Sequence, residues 1–445
     1  MDSKAFYKMT FRTVLPLMIQ SLLLASVNFI GQAMVSRLGV TEVAAVGVAN
    51  KIYSIYFLVL YGTSCACVMF VSQFKGKNDI DGLRRTMGMT LSITVALGVI
   101  VTLATWLFPR QCLSLFSDDQ KVIENGVAYL KTVSLSYLLL SFIYPINYML
   151  RGITKVQIVM ITSVLSVIVT TVISYIFIFG HLSMPALGVT GAALATVLTR
   201  AAELMVLLIY LKASRNPIME KLPTMFKYTK LDFKKFLYKA VPLAGNEMFW
   251  GIGTTLYFVI YGRMGTAQLA AMSIMNTIQT LEQTFALSLS GAGAVILGNE
   301  IGKGNKDELA LLAGRFHKLA LMVGGVVSIV LFFLRGSILE LYQLKGTLTG
   351  EYLSQCLLAM SCFVIIHCFN SMNVEGLLRS GGDVKFVLLM DVGGIWLIGL
   401  PLTFIFGEVL HLPLIVVYLV FVIVELYKLP LGIYRSRTMK WAQQL

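Results

Sequence analysis

Six carboxylates stand inside stretches of sequence that are otherwise apolar: Glu203 in the first half, and Glu247, Glu282, Glu375, Asp391 and Glu425 in the second. An ionisable group inside a bilayer costs about 2.5–3.5 kcal/mol on insertion scales, so each is a candidate for work on an ion or a proton. Three have a basic residue at helical spacing and read as local pairs near helix ends: Arg200 with Glu203, Arg379 with Glu375, and Lys428 with Glu425. Glu247 has no basic neighbour closer than Lys239, two turns away. It lies about 17 Å into its apolar stretch at 1.5 Å per residue, near a bilayer midplane. A carboxylate so placed can exchange a proton or hold Na+. Glu247, Asp391 and Glu282 are therefore the ion-coupling candidates, with Na+ expected near Glu247 if a metal ion binds at all. The six cysteines show no CxxC spacing, which argues against a zinc site or a disulfide framework.

Uncharged polar residues form two helical rows. Asn276, Gln279 or Thr280, and Gln283 lie on one face, with Glu282 beside them, and His367, Asn370 and Asn373 or Val374 lie on another. In lipid such a face must turn towards another helix or a watery cavity. With Asn50 and Lys51 these residues are the cavity-lining candidates. Lys51 lacks a local acid and is long enough to snorkel to the membrane surface instead. Met, Phe and Tyr number 22, 26 and 19, enough to supply an adaptable aromatic binding surface.

The elements that must carry these residues are membrane helices. The chain has 445 residues, 57% hydrophobic and only 13% charged, with a mean hydropathy of +0.80, against about 25% charged residues in soluble domains. Its apolar stretches exceed the roughly 20 residues a helix needs to cross about 30 Å of hydrocarbon, and they lack the alternation of a transmembrane barrel. Twelve spans are predicted, near 13–35, 43–72, 86–108, 124–150, 156–179, 186–211, 236–262, 268–298, 316–335, 353–378, 384–407 and 412–434. Most of the 36 Lys and Arg fall in loops on one side, which puts both termini in the cytoplasm. The net charge of +14 is thus a topological signal, and no nucleic-acid partner is expected. The basic run Lys227 to Lys239 reads as a solvated linker, with anionic lipid contact as its functional alternative.

The sequence also repeats. A shift of 226 places Pro16 on Pro242, Arg37-Leu38-Gly39 on Arg263-Met264-Gly265, Asn50 on Asn276 and Gly76-Lys77 on Gly302-Lys303; a shift of 228 places Leu150-Arg151 on Leu378-Arg379. Six spans per half give the repeats one orientation, about an axis along the membrane normal, which is a transporter architecture. The predicted domains are 1–211 (N-lobe), 212–235 (cytoplasmic linker) and 236–445 (C-lobe).

The segments MVSRLGVTEVAAVGVANKI (34–52), LGVTGAALATVLTR (187–200), AVPLAGNEMFWGIGTTLYFVIYGRMGTAQLAA (240–271) and LLRSGGDVKFVLLMD (377–391), with the duplicated twelve-helix layout, resemble the multidrug and toxic compound extrusion (MATE) transporters. The resemblance implies an all-α polytopic protein with two parallel six-helix repeats in a V-shaped, two-lobe bundle. It further implies efflux of amphipathic organic cations or other drugs in exchange for Na+ or H+, no cofactor, a bilayer and a drug-like small molecule as partners, a monomer, and a cell-membrane location. The first-helix Asp of many relatives is replaced here by Gly31, and the helix-ten acid of another branch falls in the region of Asn370 and Asn373. Glu247 is the counterpart of their helix-seven Glu. A flippase for a lipid-linked oligosaccharide is the alternative within the superfamily, although only Lys51, Lys131 and Arg200 would offer basic lining. There is no GxxxxGK[ST] loop for ATP. An intramembrane enzyme is the remote reading, since Ser380-Gly381-Gly382-Asp383 departs from GxGD at its first glycine.

Overall fold

The computed structural model describes all residues except 1, 182, 217 and 219–221, and omits the side chains of 25, 27–29, 32, 33, 40 and 222. Part of the expected linker therefore lies outside the described residues. The described chain contains helices and no strand. Twelve long helices follow one another: α1 Ser3–Val35, α2 Val40–Gly76, α3 Ile80–Leu107, α4 Gln120–Gly152, α5 Val156–Phe179 and α6 Gly188–Ala213 in the first half. The second half has α7 Lys230–Met264, α8 Thr266–Lys303, α9 Lys306–Leu341, α10 Leu348–Leu378, α11 Val384–Val409 and α12 Leu414–Arg437. Ten of them are long and apolar enough to cross a membrane by that criterion alone, and the other two, α1 and α7, open the two halves.

The internal repeat is visible in the backbone. The turn before α2 has Gly39 at φ 143°, ψ 169°, and the turn before α8 has Gly265 at φ 144°, ψ 166°. Only glycine adopts this conformation without strain. Asp79 and Asn305, again 226 apart, cap α3 and α9 with the same extended geometry, accepting from the amides of Gly82 and Glu308. Asp119 and Thr347 cap α4 and α10 in the same way. Prolines interrupt α1 at Pro16 and α7 at Pro242. The halves differ where α10 and α11 widen into π-helical turns, at Met372–Leu378, Gly394–Gly399 and Ile405–Val409. Such turns often mark functional positions.

The chain packs as two compact units, residues 19–244 and residues 1–18 with 245–445. In the second of these, Phe6 meets Phe316 edge to face at 5.0 Å, and the C-terminal Trp441 is fully buried in the same core as Leu297 and Met372. In the unit formed by 19–244, α2, α3, α4 and α6 surround a core that includes Val71, Met87, Met149 and Leu207.

Ahead of the basic run, the linker forms a strap docked on the fold. Ile218 and Met225 are buried in that same core, and Tyr228 hydrogen-bonds Ser92 at 2.8 Å. A short helix, Leu222–Met225, lies against α3 so closely that a Cβ on Gly88 would stand 1.9 Å from the Met225 carbonyl oxygen. Thr229 and Asp232 then form a reciprocal cap that starts α7, each side chain accepting from the other's amide, at 3.1 and 3.0 Å. The Thr229 amide, with Arg85 nearby, holds the Asp232 carboxyl below its usual range. Apolar residues between the charges made this docking possible; Lys227, Lys230, Lys234 and Lys235 remain exposed, as the charge run predicts. Replacing Gly88 with leucine should force the strap off α3, because overpacking of this kind costs about 1–3 kcal/mol. The expected result is faster protease cleavage within 212–235 in reconstituted protein with unchanged helix content. An unchanged cleavage rate would show that the strap does not depend on this contact.

Candidate functional site

Five of the six carboxylates in apolar stretches converge in the unit that contains α8 to α12. Glu247 and its neighbour Asn246 lie halfway along α7, both buried. The guanidinium of Arg379, at the end of α10, bridges Glu247 at 2.8 Å and Glu375 at 2.7 Å. Helical side chains lean towards the helix N-terminus, so Arg379 points back along α10 to meet Glu375 one turn earlier. The Glu375 backbone itself belongs to a π-helical turn. The absence of a basic residue near Glu247 in sequence is thus made good across helices, and Glu247 does not stand alone.

A second chain of charges begins beside it. Asn246 donates its side-chain amide to Asp391 at 3.3 Å. Asp391, on α11, is buried and pairs with Lys428 of α12 at 2.8 Å. Lys428 also faces Glu425 at 3.7 Å. The Glu425 carboxylate accepts from Asn370 at 2.8 Å and lies 3.4 Å from Nδ1 of His367. On the other side of that ring, Nε2 is 3.7 Å from Glu282 of α8. The two pairs that read as local, Glu375–Arg379 and Glu425–Lys428, are therefore parts of one buried network.

The remaining sequence candidates fall at its margins or outside it. Gln279 donates to the Tyr418 hydroxyl at 3.3 Å, Gln283 is half-buried and Asn276 is exposed. Asn373 accepts through Oδ1 from Nε2 of His317 on α9 at 2.8 Å. Asn50 and Lys51 belong to α2 in the other unit, where Lys51 is exposed. Sequence reasoning did not select Arg379, Glu375, Lys428, Glu425 or Asn246 as site residues. The clue for Arg379 was present in the repeated Leu-Arg dipeptide at 150–151 and 378–379.

Charge accounting limits what this arrangement can do. Among the described residues, Glu247, Glu282, Glu375, Asp391 and Glu425 face two permanent cations, Arg379 and Lys428, and one imidazole. An uncompensated buried charge costs several kcal/mol. The set is neutral only when protons or monovalent cations supply the rest. The side-chain oxygens of Asn246 and Asn370 are buried without a hydrogen-bond partner among the described residues, so acceptors stand ready beside Asp391 and Glu425.

Among the described residues, the other unit has no comparable excess. Arg151, the counterpart of Arg379, is held by the neutral Gln20 at 2.7 Å and stacks over Tyr148 at 4.6 Å. Where α8 presents Gln279, Glu282 and Gln283, the same register on α2 presents Tyr53, Tyr56 and Phe57. Their rings continue through Tyr61, Tyr144 and Tyr148 at centroid spacings of 5.5 to 6.2 Å. At these equivalent positions α8 is polar and charged where α2 is aromatic.

The MatE family model matches residues 16–176 and again 242–405, one match per repeat. The chain belongs to the MatE family. It is 24% identical to the probable multidrug resistance protein YoeA of Bacillus subtilis, over 91% of this chain and 88% of that one. It is 23% identical to the probable multidrug resistance protein NorM of Photorhabdus laumondii, over 88% and 85% of the two chains. A solved structure, the outward-facing conformation of a multidrug resistance MATE family transporter of the MOP superfamily, superposes with a TM-score of 0.87 at 19% identity, covering 97% of this chain and 95% of the other. The fold is thus the twelve-helix, two-lobe fold of MATE transporters, as the sequence resemblance implies. This MatE protein is an integral membrane transporter and not an enzyme.

Proposed function

We propose that this transporter exports drug-like small molecules, amphipathic organic cations foremost, in exchange for H+ or Na+ entering down its gradient. The observation that carries the reading is the buried network of five carboxylates against two permanent cations. Such a set binds protons or Na+ whenever it is closed from water. A change in its loading alters the relative stability of the conformations that load and release, which is what antiport requires. The aromatic run from Tyr53 to Tyr148 offers stacking surface to a planar organic cation. The lobes proposed are residues 1–211 and 236–445 around the strap, working as a monomer in the cell membrane with both termini and the strap cytoplasmic.

The test is transport by purified protein in proteoliposomes loaded with a fluorescent organic cation such as ethidium, with Na+ and H+ gradients imposed separately. Export at least about tenfold above protein-free vesicles is expected in one gradient, equivalent to about 1.4 kcal/mol of rate. No transport in either gradient, for a panel of organic cations, would overturn the reading.

A further inference from the structure

His367 is placed unlike any other titratable side chain among the described residues. Its two ring nitrogens face carboxylates from two different helices, Nε2 towards Oε2 of Glu282 on α8 at 3.7 Å and Nδ1 towards Oε1 of Glu425 on α12 at 3.4 Å. Each carboxylate uses its other oxygen as an anchor. Glu282 Oε1 accepts from the Cys368 thiol at 3.5 Å, and Glu425 Oε2 accepts from Asn370 at 2.8 Å. The oxygens turned to the ring are the ones left for exchange. Lys428 of α12 lies 3.7 Å from the same Glu425 oxygen, and the Phe421 ring closes the side at 6.0 Å. The imidazole of α9, His317, turns to Asn373 instead. On α7 and α11, Glu247 and Asp391 are paired with Arg379 and Lys428.

We propose that His367 relays a proton between Glu282 and Glu425, so that the proton is the coupling ion of the export reading on which this inference rests. Imidazole is suited to this because one nitrogen accepts while the other donates. The step begins with Glu282 protonated, His367 neutral with its hydrogen on Nδ1, and Glu425 ionised. The Glu282 proton moves to Nε2 as the Nδ1 proton moves to Glu425. The step ends with Glu282 ionised, His367 neutral with its hydrogen on Nε2, and Glu425 protonated. One proton has crossed from α8 to α12, no charge has been created, and rotation of the ring resets the tautomer. Nδ1 is buried and makes no hydrogen bond. Both gaps exceed the roughly 2.7–3.2 Å of a formed hydrogen bond, so transfer requires α8 and α12 to close on the ring by several tenths of an ångström. That requirement ties proton movement to helix movement.

Two further features favour a relay over a packing role. The ring side chain keeps 18% exposure while Glu282 and Glu425 are nearly sealed, so the histidine is the most accessible member of the three. Along α10 the ring precedes Arg379 by about 18 Å at 1.5 Å per residue. The charged side chains of Glu425, Lys428 and Asp391 continue from it towards Asn246 and Glu247. The first half lacks the device, since Tyr56 stands in the register of Glu282 and its hydroxyl is engaged with the Tyr137 carbonyl oxygen at 2.8 Å.

The test combines transport with a direct reading of the ring. In proteoliposomes with an imposed proton gradient, His367→Gln and His367→Asn should bind ethidium within about twofold of the unaltered protein yet lose at least about tenfold in gradient-driven export. In the full-length reconstituted protein, 15N NMR of the four histidines, with His367→Gln identifying the signal, should show the neutral His367 ring in both tautomers, with the hydrogen on Nδ1 and on Nε2. Glu282→Gln and Glu425→Gln should each shift the ratio of the two tautomers. The relay is overturned if His367→Gln keeps half or more of the proton-driven rate, or if the ring holds one tautomer throughout. Drug export driven by Na+ alone would also overturn it while leaving the export reading intact. If no gradient drives export, that reading fails, and the NMR tautomer measurement still decides the relay.

Discussion

Arg379→Met should destabilise the protein by about 3–5 kcal/mol, the largest effect expected of any single substitution here. Its guanidinium holds both Glu247 and Glu375, and its removal leaves two buried carboxylates without their shared counter-charge. Breaking a buried ion pair from one side costs that much because the surviving charge stays desolvated. The readout is thermal or denaturant unfolding of the purified protein in detergent, followed by tryptophan fluorescence. The triple variant Arg379→Met, Glu247→Gln, Glu375→Gln should regain most of the loss, because no charge is then left unpaired. A single Arg379→Met variant as stable as the parent would mean that the carboxylates carry protons and that the guanidinium contributes no net pairing.

Glu247→Gln is expected to separate binding from coupling. Arg379 keeps Glu375 as its partner at 2.7 Å, so the fold and expression should survive, and ethidium binding should remain within about twofold. Gradient-driven export should fall by about tenfold or more and lose its dependence on the coupling ion, since the network then has one fewer carboxylate to load and discharge. Proteoliposome efflux measured against both gradients checks this. Export with unchanged rate and ion dependence would reduce Glu247 to a structural partner of Arg379 and move the exchanging group to Asp391, Glu425 or Glu282.

The two variants also probe an asymmetry that a duplicated chain would not be expected to keep. Arg151 and Arg379 occupy equivalent places after the same leucine, yet one is met by Gln20 and the other by Glu247 and Glu375. The amide satisfies a guanidinium without adding charge. The paired carboxylates turn the same position into one whose loading changes its energy. Duplication followed by this divergence confines the excess acid to a single unit, leaving the aromatic surface of α2 and α4 in the other.

Local physics is what the sequence by itself determined. Twelve apolar stretches of bilayer length give twelve long helices, because a helix in lipid must satisfy its own backbone. The 226-residue register reappears as matching backbone angles at Gly39 and Gly265 and as matching caps at Asp79 and Asn305, since turns and caps are set by a few adjacent residues. The presence of Glu247, Glu282, Glu375, Asp391 and Glu425 in apolar sequence was likewise plain, because their cost in lipid depends on little beyond depth. Helical spacing already gave the pairs Glu375–Arg379 and Glu425–Lys428, and tertiary structure decided the partners across helices. Glu247 is far from Arg379 in sequence and 2.8 Å from it in space, Asp391 finds Lys428 on another helix, and His367 draws its two carboxylates from α8 and α12. Helical spacing reports only neighbours on one helix, whereas these pairs depend on how helices rotate against one another. The same limit applies to the strap: Lys227, Lys230, Lys234 and Lys235 are exposed as the charge run predicts, while Ile218 and Met225 just ahead of them are buried in the core. Charge density along a chain records composition, and only packing shows which side chains between the charges find an apolar surface.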